Sequence, residues 1–523
     1  MTMKLHSGFA YNQFDGMVKR FEVWALTRPL AAFGYESEVV ASRLAQRLVE
    51  LAFFPYVADC AGREKAGRQT LPGDDEVLTY EGVSIDQRNG RVRIGLLGFC
   101  RHLSLFFLHW AHVLLHIFRL TPGFSRKNFD RAGVLIGVGS EAIFNKEARE
   151  DRAFVRYCRN GPIKPLNQTH NLIVQASVAG DSEVDTAVTY YRYPFHALLS
   201  GVDLGIQGRA RLLGRHMTIV VKLLVNCLDN PLLILLARDI AYLPMIRTLD
   251  ARGKIETVFL SNSVYVSQPL YLRRNAERGF KVHMAWYAQN IFPFVYRSDG
   301  LVSHYPAYRH VSVDEHWLWT QYFSDYLANI GVSGLKHVVG PILWYLPERV
   351  NPRSSEVIKI AVFDVSPVRE EVAVNCGLLR NYWNTDVMEK FINDIVEIAR
   401  EVNRLVSKQV KILVKVKREY NQGHDRRYIS LLELLNRKGI IEIVSHQINL
   451  YSFLSECDVS IVIPNSSPAL VAAHLKRKTI YYDPTACLKA NHETGQLIAS
   501  TSDLTGLLDA TLEAIAYNNR ISD

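Results

Sequence analysis

Short apolar runs alternate with helical stretches along most of this chain, and that alternation limits its fold more than any other feature. Past a polar stretch with two prolines at 346–356 the pattern is regular. Strands are expected at 358–363, 410–416, 440–444, 459–463 and 479–482, with helices at 385–405, 428–435, 450–456 and 469–475 between them. In the first of these helices Val387, Phe391, Ile392, Ile395, Ile398 and Val402 recur at helical spacing. From 131 to 344 the alternation is looser, with strands expected at 133–138, 172–178, 256–260, 282–287 and 310–313. Strands that alternate with helices on this scale form parallel sheets covered on both faces. The expected fold class is therefore α/β: two doubly wound Rossmann-like domains, 131–345 and 346–523, facing a cleft, with a helical N-terminal region at 1–130. A chain of 523 residues needs more than one core, since single cores rarely exceed roughly 250–300 residues.

One turn in the second half points to chemistry. The strand at 459–463 runs into Pro464, Asn465, Ser466, Ser467 and Pro468, and a helix follows at once. In a parallel sheet, ligands bind beyond the carboxyl ends of the strands. A helix opening there offers free N–H groups and a partial positive charge, which attract phosphate. Either serine can cap the helix, and a hydroxyl can also donate to a phosphate oxygen. Simple capping needs only one serine.

Composition narrows the partners. The net charge is +9, which suits an acidic partner such as anionic lipid or a nucleotide's phosphates. No basic-aromatic RNA motif or zinc-finger spacing is present, so nucleic acid is not expected. The seven cysteines, at 60, 100, 158, 227, 376, 457 and 487, are scattered without a C-x-x-C pair and read as reduced thiols of a cytoplasmic protein. Asp15 and Glu22 interrupt the first thirty residues, which do not read as a signal peptide.

The segment 102–118, between Arg101 and Arg119, is almost wholly apolar but shorter than the roughly 20 residues of a spanning helix. His109, His112, His116 and Arg119 form one stripe along it. It reads either as a buried helix with a polar seam or as a helix lying in the membrane interface, apolar side down. On the second reading the stripe makes binding pH-sensitive, because free histidines gain charge near pH 6.5. His112 and His116 have metal-ligand spacing, but the sequence around them supplies no carboxylate or cysteine to complete a site, and no metal is expected. A second apolar run, 218–237, is broken by Lys222, Asp229 and Pro231 and reads as core.

With its surroundings, the serine turn resembles the donor-binding half of GT-B glycosyltransferases of bacterial surface-polysaccharide biosynthesis. The residues that carry the resemblance are NSSPALVAAHLKRKTIYYDP at 465–484 and the lead-in INLYSFLSECDVSIVIP at 448–464. VVGPILWY at 338–345 resembles the end of the first GT-B domain, and DEHWLWTQYFSDYLANIG at 314–331 resembles the stretch before it. WYAQNIFPF at 286–294 is similar to a Pro-Phe motif of polysaccharide-biosynthesis proteins. Many GT-B relatives place His-Gly after this strand, where this chain has Gln289 and Asn290. The likeness spans about 256–482 and implies a GT-B fold with a nucleotide sugar as substrate and no cofactor. The serine pair is similar to that of enzymes using CMP-activated acidic sugars, so a CMP-sugar leads among donors.

The resemblance implies glycosyl transfer: an acceptor hydroxyl attacks the anomeric carbon and the nucleotide leaves. There is no Asp-x-Asp metal motif; Asp74, Asp75 and Glu76 form the nearest acidic cluster, in a polar loop. Cations and donors must then stabilise the leaving phosphates. Lys415, Lys417 and Arg418, at the end of the 410–416 strand, are the expected cations, with Asn465, Ser466 and Ser467 as donors. His424, Arg426 and Arg427 continue the basic loop, although such runs are commonly just solvated. Asp314, Glu315 and Asp364 are the candidate catalytic carboxylates, each read as lying just after a strand, with His316 beside them. Each acid could equally be a turn former or cap. Tyr265, Tyr287 and His304 are candidates for the acceptor side. The expected partners are a nucleotide-sugar donor, a lipid-linked glycan acceptor and an anionic membrane surface. The protein would be cytoplasmic and peripheral at the inner face of the cytoplasmic membrane, making capsule, O-antigen or other lipopolysaccharide. The alternatives are another GT-B chemistry (a nucleotide-sugar 2-epimerase or a polyol-phosphate transferase) and a non-catalytic assembly protein.

Overall fold

The computed structural model describes residues 33–48, 77–80, 82–86, 91–118, 129–144, 151–177, 180–261, 267–287, 296–297, 306–347, 356–369, 382–417, 419–489 and 495–522. It opens with helix α1 (Ser37–Leu48), an antiparallel meander of β1 (Val77–Tyr80), β2 (Val83–Asp86) and β3 (Arg91–Ile94), and the long helix α2 (Leu96–Ile117). Gly82 lies so close to the first turn of α2 that a Cβ there would meet Gly98 Cα at 2.4 Å, so only glycine lets the meander rest on the helix.

The first α/β unit holds β4 (Ala132–Ile136), α3 (Ser140–Ile143), α4 (Arg152–Asn160), α5 (Lys164–Gln168), β5 (Leu172–Gln175), β6 (Gly180–Asp181) and β7 (Val188–Tyr191). Three helices follow in a long crossover: α6 (Pro194–Gly201), α7 (Gly205–Asp229) and α8 (Ala237–Ala251). Then come β8 (Ile255–Ser261), β9 (Lys281–Ala285), β10 (Glu315–Leu318), α9 (Gln321–Asn329) and β11 (Leu335–Val338). The eight strands lie in the order β11-β10-β9-β8-β4-β5-β7-β6, parallel except for the edge strand β6.

The second unit alternates without interruption: β12 (Val357–Phe363), α10 (Thr385–Val406), β13 (Gln409–Lys415), α11 (Arg426–Arg437), β14 (Glu442–Val444), α12 (Leu450–Glu456), β15 (Val459–Val462), α13 (Pro468–His474), β16 (Thr479–Tyr482), β17 (Ile498–Thr501) and α14 (Leu504–Ser522). Its six parallel strands lie in the order β14-β13-β12-β15-β16-β17. Local signals set the helix starts: Asn384, Asp425 and Asn449 each accept a backbone N–H of the turn they open. The two parallel-sheet units and the helix-rich N-terminal region agree with the α/β expectation.

One expected strand is absent. Residues 306–310 form a 3-10 turn and the strand comes later, at Glu315–Leu318. Val311 and Val313 are buried as an apolar alternation predicts. The backbone of Ser312 between them is satisfied by a side chain, not a neighbouring strand: Ser312 N donates to Gln268 Oε1 (3.0 Å) and Gln268 Nε2 donates to Ser312 O (2.7 Å). Once Gln268 pairs those groups, the segment has no need of a ladder.

The N-terminal helices do not stand apart. α1 and α2 share a core with α7, the 3-10 segment Pro231–Leu236 and α8, through Leu44, Phe106, Leu223, Ile234 and Ile240. A buried ionic network fixes this layer. Arg43 Nε donates to Asp239 Oδ2 (2.7 Å), which also accepts Leu270 N (2.8 Å), while Gln46 Oε1 accepts from Arg43 (3.1 Å) and Arg273 (2.6 Å). Removing the only carboxylate named in this network would leave buried guanidinium charge uncompensated. Asp239→Ala is expected to destabilise the full chain by about 3–5 kcal/mol in urea unfolding; a loss under about 1 kcal/mol would show that the network is replaceable.

Candidate functional site at the carboxyl edge of the second sheet

Strand order locates a crevice. The chain leaves β12 toward β13 on one side of the sheet and later returns to β15 on the other. Loops after these two strands therefore diverge, and an open α/β sheet binds ligands at such a switch point. β12 and β15 pair directly, Phe363 against Val462, so Asp364 and the 464–467 turn leave the edge side by side. β13 pairs with β12 on the other flank, which brings Lys415 to the same edge.

Asp364 is buried, and its Oδ2 accepts the Tyr428 hydroxyl at 2.6 Å. Its Oδ1 accepts no hydrogen bond from another residue. Burial pushes the carboxyl up to about 6, against the opposing pull of the Tyr428 hydrogen bond and the charges of Lys417 and Lys415. Lys415 donates from Nζ to His446 O (3.0 Å), and burial pulls its amine down to about 8, with Asp364 opposing. Lys417 sits 6.0 Å over the Trp383 ring. Arg418 lies outside the described residues. Arg427, further along the basic loop, turns to Asp386 and Glu389 and ties α11 to α10.

The serine turn has a conformation that capping does not explain. Asn465 has φ +60°, in the left-handed region that Asn tolerates. Ser467 occupies the cap position without a side-chain cap bond. Ser466 is buried, its Oγ has no hydrogen-bond partner, and its carbonyl accepts Tyr481 Oη at 3.0 Å. The helix that follows has only seven residues, so its dipole is a minor attraction. The unpartnered hydroxyl is the stronger feature, because a buried polar group without a partner costs about 1–3 kcal/mol.

Beside the turn is a small open pocket of about 70 Å³, lined among others by Arg297, Asn465, Asp483, Lys489 and Thr501. Arg297 follows the Pro-Phe segment in sequence and is held there by its N–H to Cys487 O (2.9 Å) and its Nε to Leu488 O (2.7 Å). Sequence reading missed Arg297, Lys489 and Tyr428. The closeness of Arg297 to Pro293 and Phe294 was the available signal; nothing local marked the others.

The other two candidate carboxylates are not at a carboxyl edge. Because the strand begins at Glu315, Asp314 and Glu315 lie at the amino end of β10. Asp314 binds Arg278 and accepts Val282 N at 2.7 Å, a brace between strands. Glu315 bonds Lys281 (2.8 Å) and His337 (3.2 Å). Burial raises its pKa, but Lys281 together with His283 and His337 outweighs that, so the net shift is downward. His316 is a core histidine between Trp286 Nε1 (3.2 Å) and Ser333 O (2.7 Å), and burial pulls it down to about 4. Tyr287 lies just past β9 at the carboxyl edge, against Trp344; Tyr265, His304 and the Asp74–Glu76 cluster lie outside the described residues.

The histidine stripe of α2 faces inward. His109 meets Tyr242 (3.4 Å), and His112 and His116 meet His196 on α6. Burial lowers the pKa of all three stripe histidines, His116 to about 4, which works against their gaining charge near neutrality. His196, on another helix, brings a third nitrogen within 4.8 Å of those of His112 and His116, where the local sequence offered no third group.

A family model for polysaccharide biosynthesis PFTS motif proteins matches residues 218–509, more than half of the chain. The chain belongs to this family. No curated protein matches its sequence. Solved structures similar to this PFTS motif protein include the wall teichoic acid polymerase TagF with CDPG (10% identity, 82% of this chain and 92% of that one, TM-score 0.37). Anabaena HepE in complex with UDP and glucose is another (10% identity, 75% and 94%, TM-score 0.38). The match to TarM (11% identity, TM-score 0.31) covers 55% of this chain and 52% of TarM, so the chain spans about half the length of that structure.

The Asp364 environment makes a test of its burial. A raised carboxyl pKa favours the protonated acid in the fold. That contribution is complete below the ordinary value of 3.8 and is lost as pH rises through about 6. Asp364→Asn removes the dependence. Between pH 5 and pH 8 the variant should gain about 1–2 kcal/mol on the natural chain in chemical unfolding; equal differences at both pH values would show that the carboxyl is not buried in solution.

Proposed function

We propose that this protein is a glycosyltransferase that moves a sugar from a nucleotide-activated donor to a membrane-linked glycan acceptor during surface-polysaccharide synthesis. The observation that carries the reading is the pairing, at one switch point, of an unpartnered buried hydroxyl (Ser466) with a buried carboxylate that has an open oxygen (Asp364), beside a pocket flanked by Arg297 and Lys489. Membership of a polysaccharide-biosynthesis family supports it independently.

In this reading Asn465, Ser466 and Ser467 donate to the donor's phosphates, and Lys415, Lys417 and Arg418 compensate their charge without a divalent ion. Asp364 takes the proton of the acceptor hydroxyl as its oxygen bonds to the anomeric carbon. The bond from that carbon to the phosphate oxygen breaks, and its electron pair stays with the nucleotide. Asp314 and Glu315 have no part in this step, since both are committed to braces at the opposite edge. Activity should fall as pH drops through about 6, where Asp364 gains its proton.

The membrane side of the proposal rests on an apolar face. No helix among the described residues is long and apolar enough to cross a membrane. Yet α2 exposes Leu96 (79%), Leu97 (87%) and Leu108 (65%), and α7 exposes Ile206 (89%) and Leu228 (83%). Exposed Arg101, Arg211, Arg215 and Lys222 accompany them, which suits an anionic lipid surface. Phe106, by contrast, is fully buried, so substitution there tests the core.

Thermal shift with CMP, UDP and GDP, followed by release of free nucleotide from matching sugar nucleotides, tests the donor reading. Ser466→Ala, alone or with Ser467→Ala, should weaken nucleotide binding by about 1–3 kcal/mol; unchanged affinity in a folded variant would remove the serines from the site. Magnesium or manganese should leave turnover unchanged, and a strict requirement for either would overturn the role of the lysines. Leu97→Glu with Leu108→Glu should abolish flotation with phosphatidylserine vesicles while the chain stays folded; retained flotation would overturn the membrane face.

A further inference from the structure

The histidines of α2 form a second candidate site, remote in sequence from the serine turn. His112 and His116 are one helical turn apart on α2, and His196 reaches them from α6. The ring centroids lie 4.7 Å (His112 to His196) and 4.4 Å (His116 to His196) apart. One candidate nitrogen from each ring falls within a group spanning no more than 4.8 Å. His112 Nε2 and His116 Nε2 are 3.3 Å apart. Zinc–nitrogen bonds of roughly 2.0–2.1 Å in a tetrahedron place ligand atoms about 3.3–3.4 Å apart. The pair on α2 therefore already spans one edge of a zinc tetrahedron.

Hydrogen bonding alone leaves this group unsatisfied. A neutral imidazole has one donor and one acceptor nitrogen. His116 and His112 can satisfy each other, but Nε2 of His196 is buried and has no partner, with the residue only 2% exposed. A cation accepts lone pairs from all three rings at once. His112 is half-buried, which leaves a path for an ion to enter. No fourth histidine, cysteine or carboxylate joins the group among the described residues, so water would complete the tetrahedron.

We propose that His112, His116 and His196 bind one divalent transition-metal ion, zinc by the nitrogen donor set, and that the ion clamps α2 to α6. The clamp would fix the helix that carries the exposed Leu96, Leu97 and Leu108 onto the first α/β unit. It is independent of the donor site, because none of its ligands lies in the second unit.

The full chain, stripped with a chelator and dialysed, is titrated with cobalt(II). One equivalent should give the intense visible absorption of tetrahedral cobalt, and zinc should bleach it. Zinc should also raise the thermal midpoint of the stripped protein. His112→Gln, at a half-buried position, should weaken cobalt binding at least about 100-fold, as should His196→Gln. His109→Gln, on the same stripe but outside the group, should leave the absorption unchanged. No cobalt spectrum from folded natural protein, or full affinity in folded His112→Gln, overturns the proposal. Nucleotide binding by the same variants separates this test from the donor reading, since loss of the metal should leave it intact.

Discussion

The two sheets share one buried cluster with an aromatic seam, and it reaches the strands that lead into the candidate site. Beyond β11 the chain turns at Gly340, φ +84°, and lays Ile342, Leu343, Trp344 and Tyr345 against both units. Trp344 packs against Tyr157 (5.5 Å) and Phe154 (6.2 Å) of α4, while Tyr345 packs against Tyr451 (6.0 Å) of α12. The same buried cluster takes in Phe363, Val462 and Tyr481, at or next to the ends of their strands at the carboxyl edge of the second sheet. Aromatic side chains bury roughly 150–250 Å² each. A seam built from several of them couples the two units more firmly than a linker alone.

Position along a strand divides the labour among the charged residues. At the amino end of β10, Asp314 and Glu315 have nearby cations and backbone donors, and their charges are consumed in holding strands together. At the carboxyl edge of the second sheet, Asp364 and Lys415 are desolvated and only partly satisfied, which shifts both toward their neutral forms. Titratable groups held in this way are the ones a site can use to move protons or accept phosphate. A carboxylate's place along its strand separates the two fates, more than its neighbours in sequence do.

The helical layer at the N-terminus obeys a different rule. α2 buries Phe106, Val113 and Ile117 on one side, turns its histidines toward α6 and α8, and leaves leucines outward. The polar stripe on this helix is thus part of its inner surface. A helix with an apolar outer face and a polar inner seam is costly in water unless something covers the outer face.

The alternation at 357–482 was legible residue by residue, because each strand is a short apolar run closed by its own turn and three of the helices open on an Asn or Asp cap. The serine turn was legible for the same reason, since proline, asparagine and serine act through local backbone geometry. Asp364 could be placed because the strand before it is unmistakable. Asp314 and Glu315 could not: HVSV at 310–313 reads as a strand, but Gln268, distant in sequence, pairs its backbone and moves the strand to 315–318. His196 carried no local signal either, and only the packing of α6 on α2 brings it to His112 and His116. By itself the sequence determined the α/β class, the two units and the turn that opens at Ser466. Which edge each acid occupies, which side of α2 is buried and which histidines meet were decided only by the tertiary structure, because those depend on partners tens of residues or more away competing for the same backbone and side-chain groups.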